Sequence, residues 1–376
     1  MEHEVFQAAV APVWALEPAR SLLVSTTMPG TLAINVGSSS VRLTTFDGDA
    51  RREHHLEGGD PQALSAIVDP PAIVVHRVVQ GGPRLRATTA LDAACLKELR
   101  ANVTLAPLHL PRALAWIDAA RARWPRAHQV AVFDTAFYAK LPAVATTYAL
   151  PLEVRARFGI VRYGFHGLAH QSMLRSLGSA RSRVISFQLG SGASVTASVD
   201  GQAVDTSMGF SPLEGLVMAT RAGDVDAGAL LHLLRSGMAV EAVDHMLEHE
   251  SGLRGLAGED DMRALLSRND DEARLAVAVY VQRARKYLGA FFAVLGGSDA
   301  IAFGGGVGEN APAIRAAIVA GFEWAGVIID DVANTTGREG VRRISASGSD
   351  VEVFVTPVDE AAVMRDEAEL SCRARS

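Results

Sequence analysis

Lysine is almost missing from this chain. Of its 36 basic residues only Lys97, Lys140 and Lys286 are lysines, which leaves 33 arginines (36 − 3). None of the three lies in a glycine-rich segment, and this excludes a Walker-type phosphate loop, whose lysine must reach the β- and γ-phosphates. Cysteine is scarcer still. Cys95 and Cys372 stand 277 residues apart (372 − 95), which excludes a disulfide framework and any cysteine metal spacing. Such usage fits a reducing cytoplasm. Positive charge is not in surplus either: a net charge of −6 argues against a nucleic-acid partner and leaves no basic face for a membrane. No apolar run is long enough to span a bilayer. The patch from Val5 to Leu16 follows Glu2 and Glu4, where a secretory signal needs positive charge. Residues 1–30 therefore read as an extension outside the fold, with Met28 as an alternative start. Low-complexity linkers are lacking too.

At 376 residues with 49% hydrophobic and 21% charged side chains, the chain is globular and too long for one ordinary core. Two α/β domains are expected, and the boundary between them must be a structured crossing. The central stretch runs from Val130 to His170. A short apolar strand, Val130-Ala-Val-Phe133, ends on Asp134, and Tyr163-Gly-Phe-His166-Gly167 follows as an aromatic, glycine and histidine cluster. A buried strand that ends in a carboxylate, with a loop presenting a histidine, is how α/β sheets place chemistry at their carboxyl edges. Taken alone, the stretch is better explained by Asp134 as a helix cap and His166 as a satisfied core histidine.

An internal repeat changes the balance. Leu32-Ala-Ile-Asn-Val36, a Gly37-Ser-Ser-Ser40 turn and Val41–Phe46 form one strand–turn–strand unit, ending at Asp47-Gly48. A shift of 153 places Gly37 on Gly190, Ser38 on Ser191, Asp47 on Asp200 and Gly48 on Gly201. Two such hairpins facing each other can hold a polyphosphate, because their turns expose backbone N–H groups and hydroxyls without bulk. Arg77 ends the apolar strand Pro71–Val79. A cation there needs an internal ion pair or an anionic ligand. Arg221 sits in a Gly- and Asp-rich loop, which is either a solvated turn or a second anion contact. Ala300–Phe303 is read as a strand that enters the glycine loop Gly304–Asn310 before a helix from Pro312. That geometry suits backbone approach to a nucleotide. Ala273–Leu295 is a long helix, apolar on more than one face, central to the second domain or a subunit contact.

In order, the segments INVGSSS, HRVVQGG, APLHLP, VAVFDTAF, YGFHG, LGSGAS, VDTSMGFSPLEGL, RAGDVD, GGGVGEN and VDEAAVMRD resemble the acetate kinase family over about residues 31–370. The resemblance implies the actin and sugar-kinase fold: two ribonuclease H-like domains around a nucleotide cleft. Residues 31–150 would form the first, with 361–376 returning to it, and residues 151–360 the second, carrying nucleotide and dimer contacts. It implies reversible phosphoryl transfer from ATP to acetate, giving acetyl phosphate and ADP, with Mg²⁺ (Mn²⁺ as substitute), in a cytoplasmic homodimer.

Carried over by motif, Asp134, His166 and Arg221 would be catalytic. Arg77 would bind the carboxylate, with Val79, Leu108, Phe165 and Pro212 around its methyl group. ATP would be held by Arg42, by Gln188, Leu189, Gly190, Ser191 and Gly192, by Asp261, Met262 and Arg263, and by Gly306, Val307, Gly308, Glu309 and Asn310. Asn35 and Asp359 would serve the metal, with Glu360 as the rival to Asp359. The chain departs from the family at Arg42 (usually Lys), Gln188 (His), Ser191 (Asn) and Leu110 (Asn), and its segment between Arg42 and Arg77 is shorter. Propionate or butyrate remains an alternative substrate, and a non-catalytic nucleotide-binding regulator an alternative role.

An ionised carboxylate needs no general base, since carboxyl pKa values lie near about 4. The difficulty is to bring two anions together, so cations and fixed donors must do most of the work. Asp134 is accordingly read mainly as an orienter of arginine or of metal-bound water, with general-base duty as the lesser role.

Overall fold

The computed structural model describes residues 30–37, 40–48, 50–337 and 339–374. All of the extension 1–30 except Gly30, including Met28, lies outside the described residues, as do Ser38 and Ser39 of the first turn. Six strands build the first sheet: β1 (Thr31–Val36), β2 (Ser40–Asp47), β3 (Ala50–Glu57), β4 (Ile73–Val78), β5 (Thr89–Ala90) and β6 (His128–Phe133), in the order β3-β2-β1-β4-β6-β5. The second holds β7 (Arg183–Leu189), β8 (Ala193–Val199), β9 (Gln202–Thr206), β10 (Ala300–Gly304), β11 (Arg342–Arg343) and β12 (Glu352–Val355), in the order β11-β12-β10-β7-β8-β9. With each sheet's strands counted from one, both read 3-2-1-4-6-5. The repeat seen in two hairpins thus extends to the whole sheets. The hairpins differ by one residue: Val36 pairs with Val41, but Leu189 pairs with Ala193, so the second turn is tighter.

The parallel centres follow from sequence. β4 (IVVHRV) and β10 (AIAFG) are almost wholly buried, as strands covered on both faces must be. β3 (ARREHHLE) is exposed along nearly its whole length, and its charges guard an open edge.

Seven helices matter for the site: α1 (Leu110–Arg123), α2 (Gly167–Leu177), α3 (Ala227–Arg235), α4 (Asp271–Leu295), α5 (Gly305–Asn310), α6 (Pro312–Val319) and α7 (Glu360–Arg373). With Pro111 in its first turn, where a missing N–H costs nothing, α1 packs Trp116 and Ala120 against Leu32, Ile34 and Val41. On the opposite face α7 packs Val363, Met364 and Ala368 against Ala33, Val75, Val130 and Val132. The chain therefore leaves the second sheet after β12 and finishes the first. Asp270 caps α4 at the N-terminus and Gly296 ends it in the left-handed region. Its Tyr280, Leu288 and Phe291 join the second core with Phe187, Phe303 and Ile314.

One expectation is corrected here. The glycine segment after β10 is not an open loop running to Pro312. It turns directly into α5 at Gly305, because Glu309 Oε1 accepts the Gly305 N–H at 3.0 Å and closes the first turn.

The crossing between the halves is pinned by Tyr138. Its hydroxyl donates to the Phe165 carbonyl at 2.8 Å and lies 3.0 Å from Thr196 Oγ1 on β8. Its ring fills the space beside Gly164 (φ +72°), where a Cβ would come within 2.6 Å. Only glycine satisfies both the conformation and the contact.

Candidate active site

Arg77 stands near the carboxyl end of β4, and Asp134 follows β6, the next strand in the sheet. The two meet edge to edge, with Nε to Oδ1 at 2.9 Å and Nη2 to Oδ2 at 2.6 Å. Asp134 is 1% exposed, so a bidentate arginine is what makes its charge tolerable there. The third nitrogen, Arg77 Nη1, donates to Asn35 Oδ1 at 2.9 Å. Asn35 in turn donates from Nδ2 to Glu360 Oε2 at 2.6 Å, and that oxygen lies 3.9 Å from Arg77 Nη1. Burial alone would lower the Arg77 pKa. The Asp134 and Glu360 carboxylates outweigh it and push the pKa up, so this cation is permanent.

Glu360, rather than Asp359, therefore reaches Asn35. Asp359 is occupied elsewhere: it accepts the Ala362 N–H as the cap of α7 and pairs with Arg51. The difference between the two neighbours has a simple cause. Neighbouring residues at a helix start point in different directions, and the capping side chain turns back onto its own helix.

His166 precedes α2 with φ 60°, a left-handed conformation uncommon for a non-glycine residue. Its Nδ1 lies 2.9 Å from Ser194 Oγ on β8. Its Nε2 passes directly over Gly192, where a Cβ would come within 3.1 Å. Gly192 must therefore be small for the ring to reach the second hairpin turn. Burial first, and then the positive charges of Arg77 and Arg221, bring the His166 pKa down to about 4. His109, just before α1, is likewise lowered to about 4 by burial and by Arg221, Arg77 and Arg112. The cluster thus holds Arg77, Arg221, His166 and His109, with Glu360 opposing them. Sequence reading quoted His109 inside APLHLP without giving it a role, although the unusual Pro-x-His-x-Pro spacing was available as a signal. Arg221 is held by Glu248, Nε to Oε2 at 2.6 Å. Its side chain is 17% exposed, and among the described residues no other carboxylate partner is recorded for it.

The remaining candidates divide clearly. Asn35 and Gln188 occupy equivalent positions of the two hairpins, 153 residues apart. Gln188 pairs in register with Gly304, and its Nε2 lies against Gly305. Its Oε1 is buried with no partner among the described residues. Arg42 is exposed and sits opposite Asn35 on β2. Gly190 and Gly192 close the second turn by a backbone bond at 3.0 Å, and exposed Ser191 accepts the Ala219 N–H. In α5, Gly306 and Asn310 are exposed, Val307 and Glu309 half-buried, and Gly308 buried.

Leu189 and Met262 are buried at 0% and 3%, so they can offer a ligand only backbone. Asp261 caps the short helix Met262–Ser267 and pairs with the well-exposed Arg263. Of the four apolar residues nominated for the substrate methyl group, Phe165 lies inside the second core, Val79 packs against that core, and Pro212 is half-buried. Leu108 is 46% exposed and encloses little here. A cavity of ≈ 710 Å³ opens elsewhere, lined by Arg86, Phe137, Leu174 and Arg181 among others, and includes none of the charged residues above.

Two cations, two neutral imidazoles and a carboxylate–amide pair suit a reaction between anions. The chain is similar to proteins with that chemistry. A family model described as the acetokinase family matches residues 63–366. An acetate kinase of Streptomyces coelicolor is 42% identical over 335 residues, covering 83% of this chain and 82% of the relative. The crystal structure of the Porphyromonas gingivalis acetate kinase matches with a TM-score of 0.82 at 29% identity, covering 91% of this chain and 99% of the other. A propionate kinase from Francisella tularensis matches with a TM-score of 0.81 at 30% identity and the same coverage.

Proposed function

The chain belongs to the acetokinase family, and from that premise we infer that it is an acetate kinase with the actin and sugar-kinase-type fold, moving the γ-phosphoryl group of ATP reversibly to acetate. The observation that carries the reading is the fixed Arg77 cation. Asp134 holds it on two sides, Asn35 and Glu360 stand at the third, and Arg221 acts on the same cluster. An acetate oxygen bonds to the γ-phosphorus while the bond from that phosphorus to the ADP oxygen breaks, and no proton needs to move. Arg77 and Arg221 neutralise the converging anions. His166 donates to the transferring group, and Asp134 keeps Arg77 aimed.

A magnesium ion prefers oxygen ligands and keeps several of its waters. The carboxylate of Glu360 and the amide oxygen of Asn35 are of that kind. No group of three or more His, Cys, Asp or Glu able to hold a metal occurs among the described residues. Mg²⁺, or Mn²⁺ in its place, would therefore be held largely by substrate phosphates and water, and would supply charge neutralisation on the nucleotide. ATP would lie between the second hairpin turn, Gly190–Gly192, and the start of α5 at Gly304–Gly306, with Arg42 and Asp261–Arg263 at its periphery.

Each sheet with its helices forms one domain, α7 belonging to the first. The protein acts in the cytoplasm as a homodimer. In support of the dimer, α3 (AGALLHLLR) carries four leucines and buries none of them. No helix among the described residues is long and apolar enough to cross a membrane.

The test is an ADP-coupled assay with Mg-ATP against acetate, propionate and butyrate. Highest kcat/KM on acetate supports the reading. Preference for propionate would move the assignment to the neighbouring activity, and no turnover on any of the three would overturn it.

A further inference from the structure

Behind His166 lies a row of buried groups with no part in the reaction so far described. Ser186 Oγ on β7 lies 2.7 Å from His170 Nδ1, and His170 Nε2 lies 2.8 Å from Ser194 Oγ. Ser194 Oγ lies 2.9 Å from His166 Nδ1. Ser186, His170 and Ser194 are all 0% exposed, so bulk solvent does not reach these bonds.

Proton counting gives the row a direction. Each serine hydroxyl has one hydrogen to give, and a neutral imidazole has one N–H and one bare nitrogen. His170 is neutral, since burial and then His166 hold its pKa well below the ordinary value. If the row ran outward from His166, with Nδ1–H donating to Ser194 and Ser194 donating to His170 Nε2, then His170 Nδ1–H would donate to Ser186. The Ser186 hydrogen would then have no acceptor, because His170 is that hydroxyl's one partner among the described residues. If both imidazoles donated to Ser194, the Ser194 hydrogen would be stranded in the same way. Buried donors without acceptors are costly. One arrangement satisfies every group: Ser186 donates to His170 Nδ1, His170 Nε2–H to Ser194, and Ser194 to His166 Nδ1.

We propose that Ser186, His170 and Ser194 are positioning residues that fix His166 in the Nε2–H form, keeping a neutral donor aimed over Gly192. The opposite tautomer would present a lone pair to an incoming phosphoryl oxygen and repel it. The proposal deepens the functional reading and rests on it for the identity of the acceptor. The tautomer itself can be read without turnover.

The test uses the full chain labelled with ¹⁵N-histidine, with tautomers assigned by long-range ¹H–¹⁵N correlation. His166 in the wild type is expected to carry its proton on Nε2, with Nδ1 bare. Ser186→Ala touches neither His166 nor Ser194, yet it removes the lock on direction, so His166 should become a mixture of tautomers and kcat should fall about tenfold with little change in KM for acetate. His170→Gln, which keeps an N–H₂ donor for Ser194, should retain more activity than His170→Leu. A wild-type His166 protonated on Nδ1, or an unchanged tautomer in Ser186→Ala, would overturn the proposal. Should His170→Leu fail to fold, Ser186→Ala still decides. A correct tautomer in a protein that phosphorylates none of the three carboxylates would instead sink the functional reading and leave the row standing.

Discussion

Both oxygens of Asp134 accept from Arg77, so this carboxylate serves to aim the guanidinium. Asp134→Asn keeps the shape but replaces one acceptor with a donor that faces a guanidinium. Arg77 should lose its aim, and kcat should drop by about 10²–10³, the range for one preorganised donor, with a smaller change in KM for ATP. Steady-state kinetics on a variant with an unchanged circular dichroism spectrum would check this. His76 on β4 supports a second expectation. It is 2% exposed, bonded through Nε2 to Gln129, and burial brings its pKa to about 4 despite that bond. A folded pKa below the unfolded value of about 6.5 means that the unfolded chain binds more protons between those limits. The stability conferred by neutral His76 is complete above about pH 6.5 and lost as pH falls toward 4. Urea unfolding at pH 7, 6 and 5 should show the decline, and His76→Gln should make it shallower, leaving the share of buried His109, His166 and His170. At this scale Arg77, Asp134 and His166 stood out in the sequence, because each interrupts an apolar strand end or a glycine cluster, while Asn35 was nominated by the resemblance alone. The partnership of Glu360 with Asn35 was not legible. It joins residues 325 apart and depends on which of two adjacent carboxylates caps α7.

Among the elements, α5 is the one that sequence reading misjudged. Four glycines in Gly304–Asn310 argue for a loop, since glycine weakens helices by about 1 kcal/mol per residue. What overrides this lies outside the motif. Arg315 on α6, only 1% exposed, donates from Nη1 to the Gly308 and Glu309 carbonyls at 2.8 and 2.9 Å, and from Nη2 to the Asn334 carbonyl. It thereby caps the carbonyl end of α5 from the next helix. Arg315→Met fills similar space and makes none of these bonds. It should raise KM for ATP about tenfold while changing kcat less, and should lower the melting temperature. Equal KM for ATP in the two proteins would show that α5 holds its shape without Arg315. The hairpins, by contrast, were readable to within about one residue, because Gly-Ser turns and Asp-Gly ends mark the limits of each unit.

Across the molecule, one strand order used twice, 3-2-1-4-6-5, is more than two hairpins revealed. The later strands of each copy share no sequence that a fixed shift can align, since β12 begins 169 residues after β7 (352 − 183) and β6 only 97 residues after the corresponding β1 (128 − 31). Helices inserted into the second copy, including α3 and α4, erase the offset. Those helices also carry the expectation for assembly. Leu231 and Leu234 on α3 are 47% and 36% exposed, so if the proposed dimer forms there, the wild type should sediment as a dimer and Leu231→Glu with Leu234→Glu as a monomer. A dimer that survives the pair would place the contact elsewhere.

The return of α7 to the first sheet also sets an order in time. β6 ends at Phe133 and α7 begins at Glu360, 227 residues later (360 − 133). At about 5–20 residues per second of synthesis, the face formed by Ala33, Val75, Val130 and Val132 waits roughly 10–45 s for Val363, Met364 and Ala368 to emerge and cover it. The first half is therefore made first and completed last. A chain stopped after Pro357 should accumulate as insoluble material, and a separate peptide spanning residues 358–374, supplied during refolding, should recover part of the soluble fraction. The last helix acts as a closing signal, so an interrupted nascent chain exposes a sticky surface that marks it for chaperones and proteases before it can pass for a finished enzyme.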